Sequence, residues 1–234
     1  MQIKGLKILV TGGSSGIGKA TALAALQKGA EVLITGRDAD KLHKVAAEIG
    51  AKALVCDVAN INEIDVLFDW IEQNWKGLDV LVNNAGIGES WDGLTEIKME
   101  DMYKVYAVNV FGATYVAQKA AKIFKNQKSG DIFNIASTAA SKGFANGSVY
   151  ASSKFALKGL TQCWQAELRP FNIRVVLVNP SEVTTAFAQN NRAERPEVAN
   201  KLRGIEIAHA ILSCIEMDNR GYIPEITIHA TNPF

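Results

Sequence analysis

Residues 6–18 read LKILVTGGSSGIG, and this stretch carries the strongest structural signal in the chain. A short apolar run ends in a glycine-rich turn, and a helical pattern begins at Gly16. Glycine lets the backbone approach a ligand closely, and a helix N-terminus offers free N–H groups and partial positive charge to a phosphate. The turn therefore favours a dinucleotide site. Its spacing, G-x-x-x-G-x-G, differs from the common G-x-G-x-x-G, so a purely structural turn is the alternative.

Short apolar runs alternate with helical patterns along the rest of the chain. The predicted strands cover residues 6–11, 31–35, 52–56, 78–83, 131–136, 173–179 and 225–229. The main predicted helices cover 16–28, 39–49, 61–75, 101–126, 149–169 and 205–217. Runs nearly continuous in Val, Ile and Leu are typical of strands buried on both faces. We expect an α/β fold: one Rossmann-type domain over residues 1–234, with a doubly wound, seven-stranded parallel sheet and helices on both faces.

Composition excludes several classes of function. The net charge is +1 with no block of like charges, so we expect no nucleic-acid partner and no membrane partner. The N-terminal apolar run is too short for a signal peptide or a membrane span. The three cysteines, Cys56, Cys163 and Cys214, are widely spaced, which favours reduced thiols in a cytoplasmic protein. No His or Cys cluster indicates a metal site.

Two further motifs follow in order: 83-NNAG-86 after the fourth strand and 150-YASSK-154 at the start of a helix. With the glycine loop, they make the chain resemble the short-chain dehydrogenases/reductases over essentially its whole length. The resemblance implies an NAD(P)(H)-dependent oxidoreductase that interconverts a carbonyl and an alcohol. Tyr115 and Lys119 form a second Tyr-x-x-x-Lys pair. No serine-bearing strand precedes that pair, so we expect an ordinary helix surface or a subunit contact.

The predicted catalytic residues are Asn109, Ser137, Tyr150 and Lys154. Residues four apart share a helix face, so Lys154 should lie beside Tyr150. A neighbouring ammonium and an oxidised nicotinamide would lower the pKa of Tyr150 from about 10, making it a general acid for reduction and a base for oxidation. The resemblance implies that Ser137 hydrogen-bonds the substrate carbonyl, that Asn109 holds a relay water, and that Lys154 binds the nicotinamide ribose. Singly, Ser137 could be a helix cap, Asn109 a helix-interior residue satisfied by backbone, and Tyr150 a core or interface residue.

The resemblance also assigns residues to the cofactor. Besides Tyr150 and Lys154 they are Gly12, Ser14, Ser15, Gly16, Ile17, Gly18, Arg37, Asp57, Val58, Asn83, Ala85, Gly86, Pro180, Val183 and Thr185. Asp57 matches the residue that contacts adenine, and the alternative is an N-cap of the following helix. Ser181 replaces the glycine usual in P-G-x-V-x-T, which leaves the backbone path there open.

The end of the second strand indicates which dinucleotide is used. An acidic residue there binds the ribose 2′-OH of NAD, but this chain has Gly36 followed by Arg37. Arginine pairs well with a phosphate, so NADP(H) is favoured over NAD(H). Against this, Asp38 lies next door, and Ser15 stands where many NADP users carry a second basic residue. The alternative for Arg37 is a solvated side chain stacked on adenine.

The substrate is expected to be a small carbonyl or alcohol compound, bound between residues 87–94 and 184–202. Trp91 and Phe187 could form apolar pocket walls or pack against a partner subunit. Arg192 and Arg195 could receive an anionic substrate such as an acyl-carrier-protein thioester, or lie in a solvated, mobile loop. The chain resembles 3-oxoacyl-carrier-protein reductases in length and motifs. Its ending, 223-IPEITI-228, looks more like the branch that acts on small hydroxy acids or carbonyls.

Two other functional classes were weighed against the reductase. Residues 12–16, GGSSG, match the G-x-S-x-G nucleophile elbow of hydrolases, with Ser14 as nucleophile, but no room remains upstream for an oxyanion-hole strand. The other alternative is a non-catalytic NAD(P)-binding regulator, which need not retain four catalytic residues.

Members of the family usually assemble as homodimers or homotetramers. The helix over 149–169 carries Phe155, Leu157, Leu160 and Trp164, more apolar surface than packing on one sheet face requires. We therefore expect self-association.

Overall fold

The computed structural model describes residues 2–88, 91–187 and 195–233. Its sheet has seven strands in the order β3-β2-β1-β4-β5-β6-β7, and every neighbouring pair is parallel. The strands are β1 (Lys7–Val10), β2 (Glu31–Gly36), β3 (Lys52–Val55), β4 (Val80–Asn83), β5 (Gly130–Ile135), β6 (Ile173–Pro180) and β7 (Glu225–Ile228). The strand order reverses between β1 and β4, which places a topological switch point at their carboxyl ends.

Helices cover both faces of the sheet, as predicted. They are α1 (Gly16–Gln27), α2 (Ala39–Ile49), α3 (Ile61–Trp75), α4 (Met99–Tyr106), α5 (Ala113–Gln127), α6 (Ser148–Leu168) and α7 (Gly204–Glu216). Alternate strand residues point to opposite faces. In β1, Ile8 and Val10 join the core beneath α1, α2 and α7, whereas Leu9 joins the core beneath α3 and α5.

The ends of α2 show how local sequence sets the bounds of a helix. The Asp38 side chain accepts a hydrogen bond from the backbone N–H of Lys41 and caps the first turn. Gly50 ends the helix at φ 79°, a left-handed conformation that glycine adopts without steric cost. The predicted range of 39–49 is therefore confirmed.

The predicted helix over 101–126 is interrupted. A π-helical segment, Ala107–Gly112, lies between α4 and α5. Gly112 allows this segment to pack directly on the loop after β3, because a Cβ at Gly112 would overlap the carbonyl oxygen of Val58. Inserted π turns occur mostly at functional sites, and this one contains Asn109.

Residues of α6 only partly match the expected self-association face. Leu157 is buried and packs with Ala136 and Leu177, so it is one of the apolar residues that the sheet face uses. Trp164 packs partly against the core under α3 and α5, whereas Phe155 is exposed. Leu157 is buried because α6 turns that face toward β5 and β6. Self-association stays a prediction.

Within the described ranges, no helix is both long enough and apolar enough to span a membrane. Across the same residues, no three His, Cys, Asp or Glu side chains are grouped closely enough to hold a metal ion.

Candidate active site

A cleft of about 1170 Å³ opens at the carboxyl ends of the strands, around the switch point. Most of the predicted site residues line it: Gly12, Ser14, Ser15, Gly16, Ile17, Arg37, Asp57, Val58, Ala85, Gly86, Ser137, Tyr150, Lys154, Pro180, Val183 and Thr185. Gly18, Asn83 and Asn109 do not line it. The sheet therefore brings together residues that are far apart in the sequence.

The glycine loop leaves room for an anionic group. Gly12 and Gly16 have φ of +65° and +52°, and a Cβ at Gly12 would lie 2.9 Å from Cα of Ala85. Ser15 stands at the N-cap of α1, but its side chain makes no capping hydrogen bond, and the first turn has no acidic residue. Because a helix N-terminus attracts phosphate, this end of the cleft fits a dinucleotide pyrophosphate.

Asn84 fixes the glycine loop against the end of β4. Its Nδ2 donates to the carbonyl oxygens of Thr11 at 2.9 Å and Gly12 at 3.1 Å. Gly18 lies behind this contact, since a Cβ there would be 2.6 Å from Nδ2 of Asn84. Gly18 thus serves close packing and not the cleft surface. The sequence analysis did not predict a role for Asn84, although this residue belongs to 83-NNAG-86 and directly follows a strand at the switch point.

Asn83 lies in a segment that the family resemblance places beside the adenosine ribose and in support of the central strand; the structure places it behind the cleft, and its cofactor contact stays a prediction. Its side chain is buried, with Nδ2 donating to the carbonyl oxygen of Ala113 at 2.8 Å and to Oδ1 of Asn134 at 3.2 Å. Successive strand residues point to opposite faces, so Asn83 points into the α5 side of the sheet while Asn84 reaches the glycine loop. Asn83 supports the cleft from behind.

Asn109 is also buried behind the cleft, and its carboxamide bonds to protein atoms. Oδ1 accepts from the N–H of Ile87 at 2.9 Å, and Nδ2 donates to the Ile87 carbonyl at 2.9 Å and to Oγ of Ser153 at 3.0 Å. A Cβ at Gly86 would lie 3.4 Å from this Oδ1 and 3.5 Å from Nζ of Lys154. Asn109 thus holds the chain after β4 against α6, and its relay-water role stays a prediction.

Ser137 follows β5 in an extended conformation and lies in the cleft. Its Oγ accepts a hydrogen bond from the N–H of Ala139 at 3.1 Å, so it caps the short 3₁₀ turn Thr138–Ala140. The same side chain lies close enough to Tyr150 to act on the pKa of the phenol, in the direction that lowers it. Ser137 is therefore both a cap, which was the alternative role, and a neighbour of the Tyr150 phenol.

Tyr150 and Lys154 lie one turn apart near the start of α6. Nζ of Lys154 lies 5.7 Å from the centroid of the Tyr150 ring and donates to the carbonyl oxygen of Ile135 at 2.9 Å. Burial raises the pKa of Tyr150 to about 12, and the nearby Ser137 hydroxyl acts in the opposite direction. In the chain alone desolvation dominates, and the lowering expected with an oxidised nicotinamide bound stays a prediction.

Burial also shifts the amine of Lys154, lowering its pKa to about 8. Desolvation disfavours the charged form of any group, so a phenol and an amine move in opposite directions. The cleft therefore contains a protonated phenol next to an amine that exchanges protons close to neutral pH. That pairing suits acid–base chemistry.

Basic side chains lie at the far end of the cleft, after β2. Arg37 and Lys41 both line it, and a Cβ at Gly36 would lie 3.3 Å from Oγ of Ser14. Asp38 lines the cleft as well, but its carboxylate caps α2. Lys41 was missed by the sequence analysis. The feature of the sequence that could have identified Lys41 is a basic residue four positions after Arg37.

Asp57 does not cap α3. The N-cap is Asn60, whose side chain accepts from the N–H of Asn62, whereas Asp57 accepts from the N–H of Ala59 at 3.0 Å. The N-cap alternative for Asp57 is therefore wrong: α3 begins three residues farther on, and Asp57 stays on the cleft wall.

The segment after β6 is held by backbone and side-chain contacts. The N–H of Ser181 donates to the carbonyl oxygen of Ile228 at 2.8 Å, and Ser181 is not among the positive-φ residues, so serine fits where glycine was expected. Arg195 donates to the carbonyl oxygens of Val183 at 2.9 Å and Thr185 at 3.2 Å. Arg195 lies in a stretch without helix or strand and its side chain is 33% exposed, which is compatible with the predicted loop, and Arg192 lies outside the described residues.

The second Tyr-x-x-x-Lys pair lies away from the cleft. Tyr115 donates to Oδ1 of Asp65 at 2.8 Å, and Lys119 pairs with the same carboxylate, which ties α5 to α3. Ser14 lines the cleft, but none of the three residues His43, His209 and His229 does. The hydrolase interpretation therefore lacks a histidine base near its nucleophile.

Comparisons with known proteins agree with this geometry. The family model described as short chain dehydrogenase matches residues 6–196. A Staphylococcus aureus (strain N315) protein named as an uncharacterized oxidoreductase is 33% identical over 223 residues, which cover 94% of this chain and 95% of the relative. An NADP-dependent 3-hydroxy acid dehydrogenase of Schizosaccharomyces pombe is 31% identical over 195 residues, which cover 80% of this chain and 75% of the yeast protein.

A solved structure of a metagenomic short-chain oxidoreductase in complex with NADP is also similar. Its TM-score is 0.85 at 29% identity, and the match covers 99% of both chains. The chain belongs to the short chain dehydrogenase family, and it is an NAD(P)-dependent oxidoreductase that acts on CH–OH and C=O groups.

Proposed function

We propose that residues 1–234 form one catalytic domain that transfers hydride between NADP(H) and a small carbonyl or secondary alcohol. The observation that carries this proposal is the meeting of Ser137, Tyr150 and Lys154 in the cleft that the glycine loop lines. Bound at this cleft, the nicotinamide supplies or accepts the hydride.

The protein's own residues stabilise charge and move a proton. Ser137 and Tyr150 line the same cleft, and Ser137 acts on the pKa of the Tyr150 phenol, so we propose that both hydroxyls reach one carbonyl oxygen, where negative charge develops during reduction. Tyr150 is protonated at neutral pH, because burial raises its pKa to about 12, and it donates its proton to that oxygen. With the dinucleotide bound, Lys154 would hold the ribose hydroxyls and return a proton to Tyr150, and Asn109 would hold the relay water.

The preference for NADP(H) is part of the proposal. Arg37 directly follows Gly36, where an acidic residue would select NAD, and both Arg37 and Lys41 line the cleft; guanidinium groups bind phosphate well. The NADP named for the yeast and metagenomic relatives supports this preference. A solvated Arg37 stacked on adenine is the alternative.

Between the substrate classes expected from the sequence, small carbonyl compounds are favoured over carrier-protein thioesters. Arg195 makes hydrogen bonds to two backbone carbonyls and is therefore less suited to receive an anionic carrier. The yeast relative is named for a 3-hydroxy acid. The other functional candidate is a non-catalytic NAD(P)-binding regulator. A cytoplasmic location and assembly as a homodimer or homotetramer remain predictions.

Turnover of a ketone panel with NADPH tests the proposal. Tyr150→Phe should reduce kcat at least a hundredfold, the lower range of general acid catalysis, while the Kd for NADPH stays within about threefold. Tyr115→Phe is the matched control, because it removes the hydroxyl of the other Tyr-x-x-x-Lys pair. Near-normal turnover by Tyr150→Phe, or equal loss in both variants, would refute the assigned role.

A further inference from the structure

Two aromatic rings flank Tyr150 in the cleft, and a third ring stacks on one of them. We call Trp91, Phe144 and Phe187 the aromatic wall. Ring centroids lie 5.6 Å apart for Trp91 and Tyr150 and 5.5 Å apart for Tyr150 and Phe187, and Trp91 stacks on Phe144 at 6.2 Å and 29°. These separations are those of favourable aromatic pairs. The wall therefore begins at the group proposed to protonate the substrate.

Gly88 lets the two sides of the wall approach each other. A Cβ at this position would lie 2.8 Å from Cζ of Phe187 and 3.1 Å from Cζ2 of Trp91. Both rings therefore converge on the bare backbone of the chain after β4. The result is a continuous aromatic surface next to the phenol, built from three separate loops.

Two members of the wall retain open faces. Trp91 is 42% exposed and Phe144 is 49% exposed, and both line the cleft. A single exposed apolar side chain is ordinary. A stacked pair inside a cleft, next to a reacting group, is suited to bind a flat apolar substrate group, since each ring still has area to bury.

Charges near the wall do not favour a carboxylate. Arg195 is bonded to backbone carbonyls and lies 3.5 Å from Oε1 of Glu182. Glu182 also pairs with Lys201 at 2.9 Å. Among the described residues, Lys142 is a further cation that lines the cleft, and it is exposed. A solvated ammonium binds a carboxylate weakly.

Resting on the proposed function, we infer that the aromatic wall selects ketones with an aryl group next to the carbonyl over short oxo acids. The aryl ring stacks on Trp91 and Phe144 while the carbonyl oxygen meets Ser137 and Tyr150. The ketone gains hydride from NADPH at carbon and a proton from Tyr150 at oxygen. The products are the secondary alcohol and NADP⁺.

The test compares acetophenone with cyclohexyl methyl ketone, which differ in the flatness of one ring. In Trp91→Leu, kcat/KM for acetophenone should fall about tenfold, the loss of an aromatic pair plus buried area, and kcat/KM for the cyclohexyl ketone should change less than about threefold. Comparing each variant with wild type cancels the different intrinsic reactivities of the ketones. Phe144→Leu should also lower kcat/KM for acetophenone relative to the cyclohexyl ketone. Tyr103→Leu, which changes an exposed aromatic residue outside the cleft, should leave this ratio unchanged.

Equal losses for both ketones in Trp91→Leu would overturn the inference, since the wall would then serve only to position Tyr150. Preference for 3-oxobutanoate that is lost in Lys142→Ala would also overturn it. If the wild-type protein reduces no ketone with NADPH or NADH, the proposed function fails. Tryptophan fluorescence then tests separately whether the aromatic wall binds an aryl ketone. Quenching by acetophenone that disappears in Trp91→Leu supports the wall, whereas quenching unchanged in that variant refutes it.

Discussion

Replacing Lys154 by methionine should change how the stability of the protein depends on pH. Methionine is unbranched, flexible and uncharged, so it can fill much of the same buried space. Lys154 has a pKa lowered from its ordinary 10.5 to about 8 by burial. The unfolded state therefore binds the proton more tightly than the folded state, and stability rises with pH through this window.

The size of the effect follows from the two pKa values. At pH 7 Lys154 is charged in both the folded and the unfolded protein. Burying this charge lowers the free energy of unfolding by about 3 kcal/mol, at about 1.4 kcal/mol for each pKa unit. At pH 9 the folded state is mostly neutral, and the cost falls by about 1 kcal/mol. The variant also loses the bond to the Ile135 carbonyl, which costs about 1–3 kcal/mol at any pH. The pH dependence, not the absolute stability, is the diagnostic quantity.

Urea unfolding at pH 7 and pH 9, followed by tryptophan fluorescence, measures both proteins. The free energy of unfolding of wild type should rise by about 1 kcal/mol relative to Lys154→Met between these pH values. Cys56 and Tyr150 also have shifted pKa values, but they titrate in both proteins and their contributions cancel. Parallel pH dependence in the two proteins would refute a buried, desolvated ammonium at this site.

Two further predictions concern the cofactor end of the cleft. Arg37→Ala should raise the Kd for NADPH at least tenfold, which is about 1.4 kcal/mol. The Kd for NADH should change by less than about twofold. Titration calorimetry with both dinucleotides measures this, and equal weakening would defeat the assignment of the phosphate contact. Arg195→Ala removes the links to Val183 and Thr185 and should raise the Kd for NADPH about tenfold. Arg195→Lys should not restore it, because one ammonium cannot span both carbonyls, and an unchanged Kd in the alanine variant would exclude this positioning role.

The sequence predicted the layered fold because each element carries its own signal. The range of α3, 61–75, matched because its apolar spacing is regular. The start of β4 was placed too early, at residue 78, because Leu78 continues the apolar run. In the structure, the backbone of Leu78 pairs with the side chain of Gln127 and not with a neighbouring strand. The π segment was missed because one widened turn hardly changes apolar periodicity.

Part of the candidate site was predictable from the sequence for a similar reason. Tyr150 and Lys154 are neighbours through helical spacing alone, and the glycine loop adjoins the first strand. The contacts of Asn83 and Asn109 depend on other elements, as does the stacking of Phe144 on Trp91. The face of β4 decides which asparagine of 83-NNAG-86 lies at the cleft. The contact of Trp91 with Phe144 joins two loops that are far apart in the sequence. Sequence spacing carries neither kind of information.

A crystal structure with NADP⁺ bound decides whether this cleft is the catalytic site. We expect the adenosine 2′-phosphate beside Arg37 and Lys41, the pyrophosphate at the N-terminus of α1, and the nicotinamide next to Tyr150 and Lys154. A cofactor that lies elsewhere, or a nicotinamide that lies far from the hydroxyl of Tyr150, would contradict it.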